Sequence, residues 1–154
     1  MSRCDMPAKN PAMRRVFLEC GIDSPHVIRT PFAHRTVTDV SNMTSIDELI
    51  QSHCQPRSPE DALDGATIDR LLAQLSGWER VKDNVAITRD FTFKNFRHTL
   101  GFINAVGFMA NHEDHHPDIK AGYGHCRLTW STHDAGGLSL NDFICAAKVE
   151  ALLR

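Results

Sequence analysis

The sequence predicts an α+β fold: a four-stranded antiparallel sheet with three helices packed on one face, in the order α-β-β-α-β-β-α. Three observations carry this. Apolar residues switch between helical spacing and strict alternation along the chain. The alternating stretches come in pairs joined by short turns, and strands joined that way pair antiparallel. A chain of 154 residues, 42% hydrophobic and 23% charged, is long enough for one domain with a proper core.

The chain divides near Met43. Residues 1–42 hold six basic and four acidic residues, four prolines and no sustained apolar period. Residues 43–154 hold eleven basic and fifteen acidic residues. The expectation is a disordered or loosely attached N-terminal extension over 1–42, followed by the folded domain over 43–154. A natural start of synthesis at Met43 would give the same division. Asp5, Glu19, Asp23 and Asp39 are too many acids for a transit peptide, and the apolar run of a secretory signal is missing.

From Thr67 the signals become regular. Ile68, Leu71, Leu72 and Leu75 form a short amphipathic helix that Ser76-Gly77 stops. Trp78 to Lys82 reads as a weak strand, with Asp83-Asn84 as the turn. Val85, Ile87, Phe91 and Phe93 then alternate with polar neighbours as a half-buried strand does, and Arg89 breaks the pattern. Residues 94–112 switch to helical period, with Phe96, Leu100, Ile103 and Gly107 on one line and Phe102, Val106 and Met109 beside it. So wide an apolar face belongs against a sheet or another subunit.

Pro117 ends that helix. Residues 118–123 and 125–132 read as a strand pair around Gly122 and Gly124, with Leu128 and Trp130 facing one way and Arg127, Thr129, Ser131 and His133 the other. Ser139-Leu140-Asn141-Asp142 has the form of a helix start, and Leu140, Phe143, Ile144, Ala147 and Ala151 make an apolar stripe behind it.

Composition excludes several classes. A net charge of −2 argues against a nucleic-acid surface spread over the whole chain. No stretch approaches the roughly 20 apolar residues needed to cross a bilayer. Cys4, Cys20, Cys54, Cys126 and Cys145 are an odd number without a C-x-x-C pair, and fit reduced thiols in a cytoplasmic protein. Cys126 and Cys145 read as buried apolar fillers.

Nine histidines are the anomaly. His112-Glu113-Asp114-His115-His116 literally matches H-E-x-x-H, whose two histidines must lie one turn apart on a continuous helix to share a Zn²⁺. His116 directly precedes Pro117, which pushes it out of helical geometry, and no third ligand follows at a suitable distance. No metal ligands are assigned. The same proline puts His115 and His116 where a helix gives way to a loop, and His133 stands at a strand end before Ala135-Gly136-Gly137. Either the three are ordinary solvated histidines, or they converge on a cleft and move protons near neutral pH.

His115-His116-Pro117, Tyr123, Thr129-Trp130-Ser131-Thr132-His133 and Gly137-Leu138-Ser139 with Asp142 resemble the pterin-4a-carbinolamine dehydratases. Gly77-Trp78 and Phe91-x-Phe93-x-x-Phe96 resemble that family too, so the similarity spans roughly 43–154. It implies the same four-stranded sheet on three helices, assembled as a homodimer or homotetramer. It also implies dehydration of 4a-hydroxytetrahydropterin to the quinonoid dihydropterin, a hydro-lyase step that recycles the cofactor of aromatic amino acid hydroxylases. His115 and His133 would then be the acid–base pair, with His116 binding and orienting the pterin beside Pro117. The pterin is the substrate, and no further cofactor is implied. Asp142 has two readings, a helix-capping group or an electrostatic partner of His133. Trp78 likewise is either a core residue or a pterin-stacking one.

Two positions depart from the family pattern. Asn111 stands where an acid is common, and Arg127 where some members have a histidine. A different class of function is open as well: animal relatives use the fold as a dimerisation cofactor of a transcription factor, and the apolar face of 96–109 suits such a partner. Metal storage would rest on the histidine count alone.

Overall fold

The structure, a computed structural model, describes residues 45–154 apart from 82 and 84. The extension expected over 1–42 lies outside the described residues. Among the described residues there are four α-helices: α1 (Ile46–Gln51), α2 (Gly65–Leu72), α3 (Phe96–Glu113) and α4 (Leu140–Ala151). Strands β1 (Glu79–Arg80), β2 (Ile87–Thr92), β3 (Asp118–Ala121) and β4 (His125–Trp130) form one antiparallel sheet in the order β1-β2-β4-β3. This is the expected α+β class with one helix more.

The sheet has a dry face and a wet one because its two central strands alternate in register. Ile87 faces Trp130 and Phe91 faces Cys126 on the core side, with Leu128 between them; all five are buried. Thr88 opposite Thr129 and Asp90 opposite Arg127 occupy the other side. There Arg127 donates to both Asp90 oxygens at 2.7 and 2.6 Å, which gives it a role in the sheet rather than at the histidines. Arg89, the break in the alternation, is on the core side. Its guanidinium lies 4.7 Å from the Phe91 ring centre and donates to Glu150 of α4 at 3.2 Å, so the charge is paired where it is least solvated. Gly77 turns the chain beside it with φ +72°, and a Cβ there would come within 3.3 Å of Arg89 Nε.

Each helix starts on a side-chain cap. Ser45, Asp64, Asn95 and Ser139 accept from the backbone N–H groups of Glu48, Thr67, His98 and Asn141. Helix α3 buries Thr99, Phe102, Val106, Ala110 and Glu113, one line at a spacing of three to four. The line expected through Phe96 and Leu100 is instead half exposed, and Phe108 is 80% exposed. The apolar face was wider than the sheet needs, and its excess faces outward.

Helix α4 is buried on more than its predicted stripe: every residue from Leu140 to Ala147, and Val149, is covered. The cause is the segment before α2. Helix α1 packs on α4, and the chain after it is tied down by two polar anchors. Asn141 accepts from Gln55 N–H at 3.2 Å and from Arg57 Nε at 3.0 Å, and donates to the Gln55 carbonyl at 2.8 Å. Glu113 accepts from Cys54 N–H at 2.9 Å, Lys148 Nζ at 2.9 Å and His53 Nδ1 at 3.1 Å. Burial would raise the Glu113 carboxyl, but Lys148, the Cys54 N–H and His53 outweigh it and hold it below the ordinary range.

Glu113→Gln should therefore cost roughly 2–4 kcal/mol, since it leaves Lys148 without its counter-charge in a largely buried place. A carboxyl depressed on folding contributes stability that is present at neutral pH and is lost as pH falls through its folded value. Urea unfolding from pH 7 downward should show this loss below the ordinary glutamate range in the native chain. Equal acid slopes for native chain and variant would contradict it.

Candidate functional site

Three chain breaks meet at one end of the sheet. Asp114 takes a left-handed φ of +50° and closes α3, so His115 and His116 follow it as loop residues. Strand β4 ends at Trp130, and Thr132 leads into a 3₁₀ turn over His133–Ala135. Helix α4 begins at Leu140, with Asp142 in its first turn.

Asp142 joins all three. Its carboxylate, fully buried, accepts from Ser139 N–H at 2.9 Å, completing a capping box, and from the Thr132 hydroxyl at 2.9 Å. The other oxygen pairs with His115 Nε2 at 2.8 Å. Thr132, having donated its proton, accepts from Ser139 Oγ at 2.7 Å, and Ser139 Oγ accepts Asn141 N–H at 3.2 Å. Each side-chain oxygen of Asp142, Thr132 and Ser139 thus has a partner. The capping reading of Asp142 is realised, while the electrostatic one is corrected: its histidine partner is His115, not His133.

His115 is held on its flat side as well. Its ring stacks on Trp130, 5.4 Å between centres at 19°, and only 9% of the residue is exposed. A carboxylate can only accept, so the neutral ring keeps its proton on Nε2 and leaves Nδ1 as the basic atom. Such an imidazole can take a proton at one nitrogen while a fixed negative charge steadies the other.

The other expected site residues are arranged differently. His116 is exposed and donates from Nε2 to Asn111 Oδ1 at 3.1 Å. Position 111, where an acid was expected, therefore acts on the second histidine through a neutral amide. His133 is exposed in its turn, next to Thr132, and stands off the strand on which it was expected. Pro117 is half-buried between His116 and β3. Trp78 is 6% exposed and packs edge-on against Phe91, 6.0 Å between centres, as a core residue does. Trp130 and Thr132 were read as sheet residues; their place around His115 was visible only as proximity to His133 in sequence.

Among the described residues His53, His112 and Glu113 have the donor set for a metal, with ligand atoms within 4.8 Å of one another. Lys148 and the Cys54 N–H already occupy the Glu113 oxygens. His116 is not in that group, because α3 stops at Glu113 and carries it away from His112.

Residues 61–152 match the family model described as pterin 4 alpha carbinolamine dehydratase. A Xylella fastidiosa relative bearing that family name is 49% identical over 111 residues, 71% of this chain and 96% of its own length. A Xanthomonas campestris relative of the same name is also 49% identical over 111 residues, covering 71% of this chain and 94% of its own. A crystal structure from Brucella melitensis, titled a transcriptional coactivator/pterin dehydratase, superposes with a TM-score of 0.57 at 33% identity. It covers 59% of this chain and 97% of its own.

The buried chain around Asp142 sets a graded stability test. Thr132→Val removes one donor and should cost about 1–2 kcal/mol in urea unfolding. Asp142→Ala strips the cap and leaves the Ser139, Thr132 and His115 donors unpaired, so about 2–4 kcal/mol is expected. Equal costs for the two would mean that the carboxylate does not organise the group.

Proposed function

This chain belongs to the pterin 4 alpha carbinolamine dehydratase family, and we propose from that premise that it dehydrates a 4a-hydroxytetrahydropterin to the quinonoid dihydropterin by histidine acid–base catalysis. The class of the enzyme, a hydro-lyase acting on the pterin carbinolamine, follows from the family and its named relatives. The roles of individual residues are our reading. The reaction removes the 4a-hydroxyl as water while a ring nitrogen gives up a proton. Both halves need proton movement at neutral pH, which imidazoles supply.

The observation that supports the reading best is the buried His115–Asp142 pair. An imidazole locked in one tautomer, stacked and backed by a carboxylate, is the arrangement a general base needs. His115 then takes the ring proton at Nδ1, and Asp142 steadies the charge that appears. His133, exposed in a turn one residue beyond Thr132, serves as the acid for the leaving hydroxyl. His116, oriented by Asn111, binds and aligns the pterin beside Pro117. Trp78 has no place in this scheme, being packed on Phe91. The product would serve a hydroxylase of aromatic amino acids. No described helix is long and apolar enough to cross a membrane.

A second surface bears on assembly and on the binding-module alternative. Phe96 and Leu100 on one line of α3 are 52% and 45% exposed, and Phe108 farther along the helix is 80% exposed. A surface of this kind suits a second copy of the chain. The word coactivator in the Brucella structure's title keeps a protein partner as the rival occupant.

Three outcomes are expected in an assay that follows carbinolamine decay. His115→Ala and His133→Ala each lower kcat by about 10²-fold or more, whereas His116→Ala acts chiefly on KM. A folded His115→Ala, His133→Ala double variant with native turnover would sink the mechanism. Exhaustive chelation leaves the rate unchanged; a loss restored by Zn²⁺ would show that proton transfer alone is not the chemistry. Phe108→Glu should lower the mass measured by analytical ultracentrifugation, and an unchanged mass would place the assembly surface elsewhere.

A further inference from the structure

Away from the histidines, two thiols with no part in the proposed dehydration touch each other. Cys54 Sγ lies 3.5 Å from Cys145 Sγ, although the residues are 91 positions apart in sequence. Cys145 is fully buried in α4, whereas Cys54 is half-buried in the segment laid over that helix. A disulfide needs its sulfurs about 2.05 Å apart, so closure requires a movement of roughly 1.5 Å, within reach of small side-chain rotations. The backbone on the Cys54 side is already fixed for it. Cys54 N–H is held by Glu113, and the next residue makes two hydrogen bonds to Asn141, one turn before Cys145. Cys54 Sγ also rests 3.8 Å from the Asn141 carbonyl.

We propose that Cys54 and Cys145 are an oxidation site: a hydroperoxide converts them to a reversible disulfide that fastens the residue 52–58 segment covalently to α4. The order of events follows from access. Cys54 is the sulfur an oxidant can reach, and as thiolate it attacks a peroxide oxygen. The O–O bond breaks, an S–O bond forms, and the leaving alkoxide or hydroxide takes the proton that Cys54 gave up. Cys145 sulfur then attacks the Cys54 sulfenic acid; the S–O bond breaks, the S–S bond forms, and hydroxide leaves with the Cys145 proton as water. Two thiols lose two electrons and the peroxide gains two. Contact with the Cys54 sulfur, and then burial, push the Cys145 thiol well above its ordinary range. Buried in α4, Cys145 is shielded from the oxidant and meets only the sulfur beside it. A dithiol reductant reverses the bond by exchange.

The full chain, reduced and then treated with hydrogen peroxide while folded, tests this. Remaining thiols are alkylated in denaturant and the peptides mapped without reduction. The expected product is a Cys54–Cys145 linked peptide, a mass loss of two hydrogens that dithiothreitol restores, with Cys126 still alkylated. Because the link closes a long loop, the oxidised protein should also melt several degrees higher than the reduced one. Cys54→Ser, at a half-buried position, should abolish both changes. In Cys145→Ala the reaction should stop at a Cys54 sulfenic acid that dimedone captures. The proposal fails if both thiols survive peroxide, or if Cys54 runs on to sulfinic acid while Cys145 stays alkylatable. It also fails if Cys54 pairs instead with Cys4 or Cys20.

Discussion

One buried carboxylate constrains this molecule more than any other group. Asp142 sits where the last strand, the last helix and the end of the long helix come together, and it accepts from Ser139, Thr132 and His115 at once. A charge without solvent is costly unless it is fully hydrogen-bonded. These three donors must therefore all be in place when the domain folds. Folding and site assembly are one event here, because the cap that starts α4 is the group that orients His115. The His115 ring is thus secured by the start of a helix rather than by contacts added around it.

Glu113 plays a matching part for α4 through Lys148. It gathers Lys148, Cys54 and His53 around a largely buried carboxylate, and Asn141 repeats the device one residue before Asp142. Helix α4 is thereby covered by the sheet on one side and by the segment after α1 on the other. That explains a helix that is buried nearly throughout although only a stripe of it is strongly apolar. Alanines and Cys145 suffice on the second face because what covers them is an extended backbone, which needs little depth.

The regular half of the fold was legible in the sequence because periodicity reports it directly. Ile87 and Phe91, Leu128 and Trp130, and Phe102 and Val106 each declared a face that the structure buries. The stop at Ser76-Gly77 and the start at Ser139 were equally plain. What was not legible depends on contacts distant in sequence. Helix α1 is six residues long, too short to show a period, and Cys54 in the segment after it is held by residues 59 and 87 positions away. Arg89 looked like a defect in a strand because its partner, Glu150, lies 61 residues on. His115 and Asp142 were both singled out from the sequence, but their pairing was not, since nothing local distinguishes His115 from His133 as the partner.

The run from His112 to His116 shows how much one backbone angle decides. Had α3 continued one more turn, His112 and His116 would share a face with Glu113 between them, the geometry of a zinc site. Asp114 in the left-handed region stops the helix first, and Pro117 forbids its resumption. The residues then part. Glu113 turns inward to Lys148, His115 inward to Asp142, and His116 outward to Asn111 five residues back. A pattern that spells metal chemistry in one dimension thus becomes, in three, a structural anchor, a buried imidazole paired with a carboxylate and an exposed one. Neighbours within the same five residues therefore reach separate partners. A helix terminus allows that, because there the regular step of about 100° between consecutive residues ends.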